Sequence, residues 1–343
     1  MSHLARTGRL CGHYRDRKLI VPSSFPSSLA VVMSCVEPYA FLGEPVVKAV
    51  LSANEALSRR DEGPVDYIDL AGESTWIEEM VLRYSDRATR LGCAIIHAAA
   101  SNSALADIGI LLAKRQLVAK SAIPTSVEVF SKLSGSFQKG TGIHYATYEA
   151  AINGFSTRNH LSAVRTELYA KLPSPKPAPV QQGLPSGLPK RPRMLGGAIN
   201  YAPDQGLYMF PFFFSDPSIV RLSQALSAKA QQDVPPVVFA FWLAIPSLPV
   251  LLLVSAALIV FGIVSSFSLG RKLLLRYPRI FTAGMVSHEG PIREQLEASS
   301  FATTFVAKGY SKEALESAPS NNEGSRAAPD VRVVVKATGP EIR

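Results

Sequence analysis

The side chains able to carry acid–base, nucleophilic or metal chemistry are few and scattered. The six histidines are His3, His13, His97, His144, His160 and His288, and no two stand at ligand spacing. Cys11, Cys35 and Cys93 form no CxxC pair, so neither a zinc knuckle nor a disulfide framework is indicated. Cys35 and Cys93 lie in apolar runs and read as buried structural thiols. His97 closes an apolar run, where a histidine satisfied within the core is preferred over one that moves protons. Asp69, Gly72 and Glu73 end another apolar run. There Gly72 as a tight turn, with Asp69 or Glu73 as caps or loop charges, weighs equally against a functional role. The phosphate loop GxxxxGK[ST], the zinc motif HExxH and the nucleophile elbow GxSxG are all absent. Gly140-Thr141-Gly142 opens a GxGxxG pattern, but Tyr145 occupies the place of the third glycine.

The elements that must position these residues follow from apolar period and punctuation. Residues 29–35, 65–70 and 94–98 read as short buried strands. Between and after them, helices are predicted over 44–57, with Pro45 in the first turn, over 74–92, and over 104–114. Ser74 is the expected cap of the second helix and Gly92 its terminator. This alternation over 29–115 is that of an α/β fold with a parallel sheet. From residue 116 the order changes to α+β, with a strand at 126–134, helices at 145–156, 161–172 and 218–230, and a core run at 208–214. Strands at 299–310 and 331–337 follow, with a Ser/Asn/Glu-rich loop near 313–330 between them. Residues 172–193 hold seven prolines and four positive charges and read as a solvated loop. Residues 1–28 read as a disordered basic tail.

The strongest physical signal is a run without charge. Charged residues make up 18% of the chain against about 25% in ordinary soluble domains, and the deficit is local, because residues 234–270 contain none. Residues 250–269 alone would span roughly 30 Å as a helix at about 1.5 Å per residue, the hydrocarbon thickness of a bilayer. Pro246 and Pro249 divide this stretch from the apolar residues 237–245. Two geometries follow: a single span by 250–269, or a helical hairpin that dips into a bilayer or a droplet monolayer and returns at the prolines. Arg271, Lys272, Arg276 and Arg279 follow directly and place the basic flank on the cytosolic side. The net charge of +9 is assigned to this membrane rim, and nucleic acid is not expected as a partner. Unpaired cysteines and the lack of an Asn-x-Ser/Thr sequon agree with a reducing, cytosol-facing compartment. The organisation expected is thus a tail at 1–28, an α/β domain with a parallel sheet at 29–115, an α+β domain at 116–233, the hydrophobic segment at 234–270, and the remainder of the second domain at 271–343.

Several stretches together resemble the saccharopine dehydrogenase-like oxidoreductases, the relatives of saccharopine reductase and of bacterial trans-acting enoyl reductases. They are VVMSCVEPYAFLGEPVVKAV (31–50), DYIDLAGE (66–73), PFFFSDPSIVRLSQ (211–224), LGRKLLLRYP (269–278), GPIREQLEASSFATTFVAKGY (290–310) and VKATGPE (335–341). The resemblance implies an incomplete Rossmann-like sheet plus an α+β domain, shortened at both ends relative to the family, whose Gly-rich first turn is not found. It implies NAD(P) as cofactor, with Pro38, Tyr39, Ser103 and Asp107 as the matched cofactor-binding positions. Glu37 stands where the family has glycine, and its carboxylate should repel a phosphate-bearing ligand. Asn102 and Leu105 replace a family aspartate and proline, while Ser103, Asp107 and Gly109 match.

The expected function is therefore a membrane- or lipid-droplet-associated oxidoreductase of lipid or glycolipid metabolism. It would act on a lipid-like substrate at the cytosolic face of the endoplasmic reticulum or a droplet rather than in the mitochondrion. Self-association into a homo-oligomer stays open. The alternatives are a non-catalytic membrane scaffold that keeps the fold without the cofactor site, and a piece of a longer NAD(P)-dependent enzyme. No catalytic residue and no metal site is assigned.

Overall fold

The computed structural model describes residues 31–134, 142–189, 200–203, 205–212, 214–232, 235–317 and 328–340. The basic tail at 1–28 with Cys11, the Gly140–Thr141 pair, and most of the 313–330 loop lie outside the described residues. The fold is mixed α/β, with two sheets among the described residues. The first is parallel, in the order β1 (Val31–Ser34), β2 (Asp66–Asp69), β3 (Ile95–Ile96). Helix α1 (Tyr39–Ser58) follows β1, α2 (Ser74–Leu91) follows β2 and α3 (Ser101–Ala119) follows β3.

The remaining elements are arranged around a mixed six-stranded sheet. In chain order they are β4 (Ile123–Ser134), α4 (Tyr145–Ser156), α5 (Arg158–Lys171), α6 (Ala178–Gln181), β5 (Asn200–Ala202), β6 (Leu207–Pro211) and α7 (Asp216–Lys229). There follow β7 (Val238–Ile245), α8 (Leu248–Ser266), α9 (Ser268–Arg276), α10 (Pro278–Phe281), α11 (Arg293–Glu297), β8 (Ser300–Tyr310), α12 (Lys312–Glu316) and β9 (Val331–Pro340). The strand order is β5-β6-β7-β4-β8-β9, with β4 and β7 parallel and the other pairs antiparallel.

Register decides which side of the first sheet is buried. Tyr67 lies opposite Val32 and Ile95 on the face covered by α1 and α2, where Val47, Val50, Leu51, Trp76, Ile77 and Met80 close the core. The row one residue on, Met33, Ile68 and Ile96, faces the other way, and Met33 and Ile96 are exposed. Parallel sheets are usually covered on both faces, so this one is open on an apolar side. Helix α3 packs instead on the six-stranded sheet. Its Ile110, Ala113 and Leu117 meet Val127 and Val129 of β4 and Phe305 and Ala307 of β8. A Cβ on Gly109 would run into the Phe305 ring, so the glycine at this position is required by helix–sheet packing.

Three local expectations are corrected. Helix α1 begins at Tyr39 rather than at residue 44, so Pro45 lies inside it. The early start is possible because Glu73, from a distant turn, binds the amides of Tyr39 and Ala40, while the Pro38 carbonyl accepts from Phe41 and Leu42. For the same reason Ser74 does not cap α2: Glu73 holds the cap position, and its side chain is committed to α1. Gly92 does close α2 in the left-handed conformation. Of the two cysteines expected to be buried, Cys93 is buried and Cys35 is exposed.

The hydrophobic run divides into a strand and a helix, Leu248–Ser266, close to the span expected at 250–269. The helical hairpin is overturned, because Val238–Ile245 is a strand, β7, paired with β4 and β6. An eight-residue apolar run rich in Val, Phe, Trp and Ile and bounded by prolines suits a central strand as well as a buried helix. Among the described residues only α8 has the length and composition to cross a bilayer. Among its residues only Leu251, near the start, and Ser265, at the end, are buried. Its second half is held by α4 and α9, where Phe261 and Val264 pack with Tyr148, Ile152 and Leu274. Both ends of α8 therefore touch the same body. The strands before and after it, β7 and β8, both pair with β4. The outer face bears Leu252, Leu253, Ile259, Val260 and Ile263, and Leu269, Leu273, Tyr277, Ile280 and Phe281 of α9 and α10 are exposed as well.

Candidate functional site

The residues singled out by type and spacing gather where ligands usually bind in parallel α/β sheets, at the carboxyl ends of the strands. The Tyr39 phenol donates to the Ser34 carbonyl at 2.7 Å and accepts from the Leu70 amide at 3.1 Å, which ties the end of β1 to that of β2. Burial pushes this phenol well above its ordinary range, so it stays protonated and serves as a strut. The adjacent Glu73 carboxylate accepts from the amides of Tyr39 at 2.7 Å and Ala40 at 3.1 Å. Burial raises its pKa and these two bonds hold it down, while Glu37 and Glu149 add like charge nearby. Burial raises Glu37 and Glu149 as well.

One step along the sheet stands a carboxylate–imidazole pair. Asp69 is completely buried. Its Oδ1 accepts from the amides of Ala71 at 3.0 Å and Ala98 at 2.9 Å, and its Oδ2 lies 2.5 Å from His97 Nδ1. The ring of His97 is 5% exposed and sits edge-on to Trp76 and Tyr67. The contact engages His97 Nδ1, which leaves Nε2 as the ring nitrogen turned away from Asp69. Ala98 is held at φ 57°, a strained backbone for alanine, and its amide is the one bonded to Asp69. In this arrangement the carboxylate fixes the orientation of the imidazole at the strand ends. Each partner is visible in the sequence, but their pairing depends on β2 and β3 being neighbours.

The cofactor positions taken from the family resemblance fall into two places. Pro38 and Tyr39 lie at the rim just described. Ser103 and Asp107 point into the seam between α3 and α7. Ser103 Oγ donates to Asp216 Oδ1 at 2.9 Å and lies 3.2 Å from Ser215 Oγ, while Asp107 Oδ2 accepts from Ser223 Oγ at 2.8 Å. These oxygens bind two helices together. Among the described residues no group of His, Cys, Asp or Glu could hold a metal ion.

Asp216 gives the seam a pH signature. Burial pushes its carboxyl up to about 6, against the opposing bond from Ser103. The unfolded group titrates near 3.9. Its penalty on folding is therefore absent below about pH 4, grows as pH rises to about 6 and is complete above that. Asp216→Asn keeps an acceptor for Ser103 and removes the charge. The variant is expected to be more stable than the parent at neutral pH, by about 3 kcal/mol, with the advantage vanishing near pH 4. Equal melting curves at both pH values would show that the carboxyl is not buried as described.

No family model matches the chain. Curated relatives do. The chain is 31% identical over 330 residues to the saccharopine dehydrogenase-like oxidoreductase of Rattus norvegicus, a match covering 94% of the chain and 68% of the relative. To the protein of the same name in Homo sapiens it is 29% identical over 311 residues, 91% of the chain and 64% of the relative. To the lipid droplet localized protein of Caenorhabditis elegans it is 29% identical over 287 residues, 83% of the chain and 61% of the relative. The chain thus spans about two thirds of the length of the curated relatives it matches.

Proposed function

The chain belongs to the saccharopine dehydrogenase-like oxidoreductases, and we propose on that premise that it works at a lipid surface, lying on one leaflet or monolayer and serving redox chemistry on a lipid-like substrate. The observation that carries this reading is the placement of α8. Nineteen residues at about 1.5 Å each make a helix of roughly 28 Å. If α8 crossed a bilayer, one of its ends would be carried that far from the body that both ends now touch. A helix lying in the plane of the interface keeps both contacts and turns its apolar face toward acyl chains. Lys272, Arg276 and Arg279, on the helices that follow α8, are exposed and would supply the positive charge that anionic headgroups attract. One relative carries lipid-droplet localisation in its name, and a droplet offers a single monolayer, which suits an in-plane helix.

Within this reading the Asp69–His97 pair is the proton-handling group. A nicotinamide dinucleotide is the hydride carrier suggested by the family's name, and its pyrophosphate needs backbone amides at a helix N-terminus. At the turn from β1 into α1 those amides are already bound, two by Glu73 and two by the Pro38 carbonyl. Glu37 and Glu149 add negative charge around that turn. These residues do not fit a pyrophosphate, and no step through the cofactor is drawn from them. The same carboxylates favour a second reading, a non-catalytic lipid-surface scaffold. Calorimetry with NADPH separates the two, micromolar binding favouring the enzyme and its absence the scaffold.

The in-plane placement has a direct test. One epitope is inserted at the exposed turn at Gly183 and another is added after Arg343, and the protein is expressed with sealed microsomes and droplets. Protease added outside is expected to remove both epitopes. Protection of one and loss of the other would mean that α8 crosses the membrane.

A further inference from the structure

Beside the apolar ledge formed by α8, α9 and α10 lies a cleft of about 240 Å³, lined by Arg276, Tyr277, Arg279, Ile280, His288 and Glu289. Two guanidinium groups and an imidazole stand around it, next to Ile280, which is 74% exposed. Arg279 Nη2 donates to Glu289 at 2.8 Å, an exposed pair with both side chains about two-thirds in solvent. Arg276 Nε donates to the Tyr277 hydroxyl at 3.2 Å. The His288 ring stacks on Tyr145, 4.4 Å between centroids, which fixes the imidazole at the edge of the cleft.

We infer that this cleft receives the exposed phosphate of an anionic membrane lipid, a phosphomonoester such as that of phosphatidic acid. The proposal rests on the lipid-surface reading above and goes further by naming the headgroup. Arginine presents a planar fork of donors that matches phosphate oxygens two at a time. A phosphomonoester bears about −1.5 to −2 charge at neutral pH and three strong acceptor oxygens. Headgroups that bury their phosphate in a diester offer fewer acceptors to a cleft this small. Glu289 currently holds Arg279, so an arriving phosphate would replace the Glu289 carboxylate as the partner of that guanidinium. The apolar rim around Ile280 keeps the acyl chains of the same lipid on the ledge side.

The full chain is compared in flotation assays on vesicles of neutral phosphatidylcholine, alone or with a minor share of phosphatidic acid or phosphatidylserine. With the two acidic lipids compared at equal total surface charge, diffuse attraction to a basic rim, about 1 kcal/mol per residue or roughly a fivefold change, is the same for both. A phosphate cleft instead predicts binding about five- to tenfold tighter to phosphatidic acid than to phosphatidylserine. Arg276→Gln with Arg279→Gln is expected to erase that preference, while Glu289→Gln is expected to widen it. Soluble glycerol phosphate in excess should compete only for the phosphatidic-acid increment. Equal binding to the two acidic lipids, or a preference that survives loss of both arginines, overturns the cleft while the lipid-surface reading stands. Failure to bind any vesicle overturns the lipid-surface reading and this inference with it.

Discussion

Replacing Leu253, Ile259 and Ile263 together by aspartate is expected to release the protein from lipid. All three side chains are more than half exposed along the outer face of α8, and none belongs to a core cluster. Burying an aliphatic side chain of this size is worth about 1.5–3 kcal/mol. Three such losses remove on the order of 5–9 kcal/mol of interfacial binding, and each carboxylate opposes entry into acyl chains as well. At about 1.4 kcal/mol per factor of ten, the affinity for vesicles or artificial droplets should fall by at least a thousandfold. Stability in detergent-free buffer should not fall, because the substituted positions face away from the body. Leu251→Asp is the contrast: that side chain is fully buried, and its replacement is expected to unfold the domain. If the triple variant still floats with droplets, lipid is held by some surface other than this one.

A large loss of stability is expected where a buried carboxylate meets a partly exposed guanidinium. Glu78 on α2 is completely buried. Arg165 on α5 donates to it through Nε, at 3.1 and 3.0 Å, and through Nη2 at 2.8 Å, and the same Nη2 reaches Ser218 Oγ on α7 at 2.7 Å. One guanidinium thereby fastens three helices over the first sheet. Arg165→Met would strand a carboxylate without a partner, at about 3–5 kcal/mol, against a total of only about 5–15 for a folded domain. Glu78→Gln combined with Arg165→Met removes both charges and should recover most of that loss. Chemical denaturation of the parent, the single variant and the double variant measures this directly. A single variant as stable as the parent would mean that water, and not Arg165, satisfies Glu78.

How much of this was legible in the sequence depends on whether the cause lay nearby in the chain. The strands β1 and β2, helix α2 with its Gly92 terminator, and the strands β8 and β9 announce themselves by local period and punctuation. The mixed α/β class follows from their order. The start of α1 was not legible, because the group that satisfies its amides, Glu73, lies 34 residues away. Nor was the fate of residues 238–245. An apolar run is apolar in a strand and in a helix alike, and only its pairing with β4 decides between them. The site shows the same division. Asp69 and His97 could each be marked as strand-end residues, yet their union at 2.5 Å is a property of the sheet. Ser103 and Asp107 were assigned to a cofactor by resemblance; what occupies their oxygens, the hydroxyls and carboxyl of α7, could be seen only once α3 and α7 were side by side.

The sheet order also sets a schedule for synthesis. Strand β4 is made early, but one of its two partners, β8, comes much later, as the 183-residue separation of Thr125 and Lys308 illustrates. Between them the ribosome must deliver α8, which emerges while β4 still has an unpaired edge. At about 5–20 residues per second, the interval between completing Ser266 and completing Tyr310 lasts roughly 2–9 seconds. For that time a nineteen-residue apolar helix stands on an unfinished domain. Translocation factors that capture apolar segments compete in that interval with closure of the sheet. Only after β8 has docked is the helix committed to the surface of its own body.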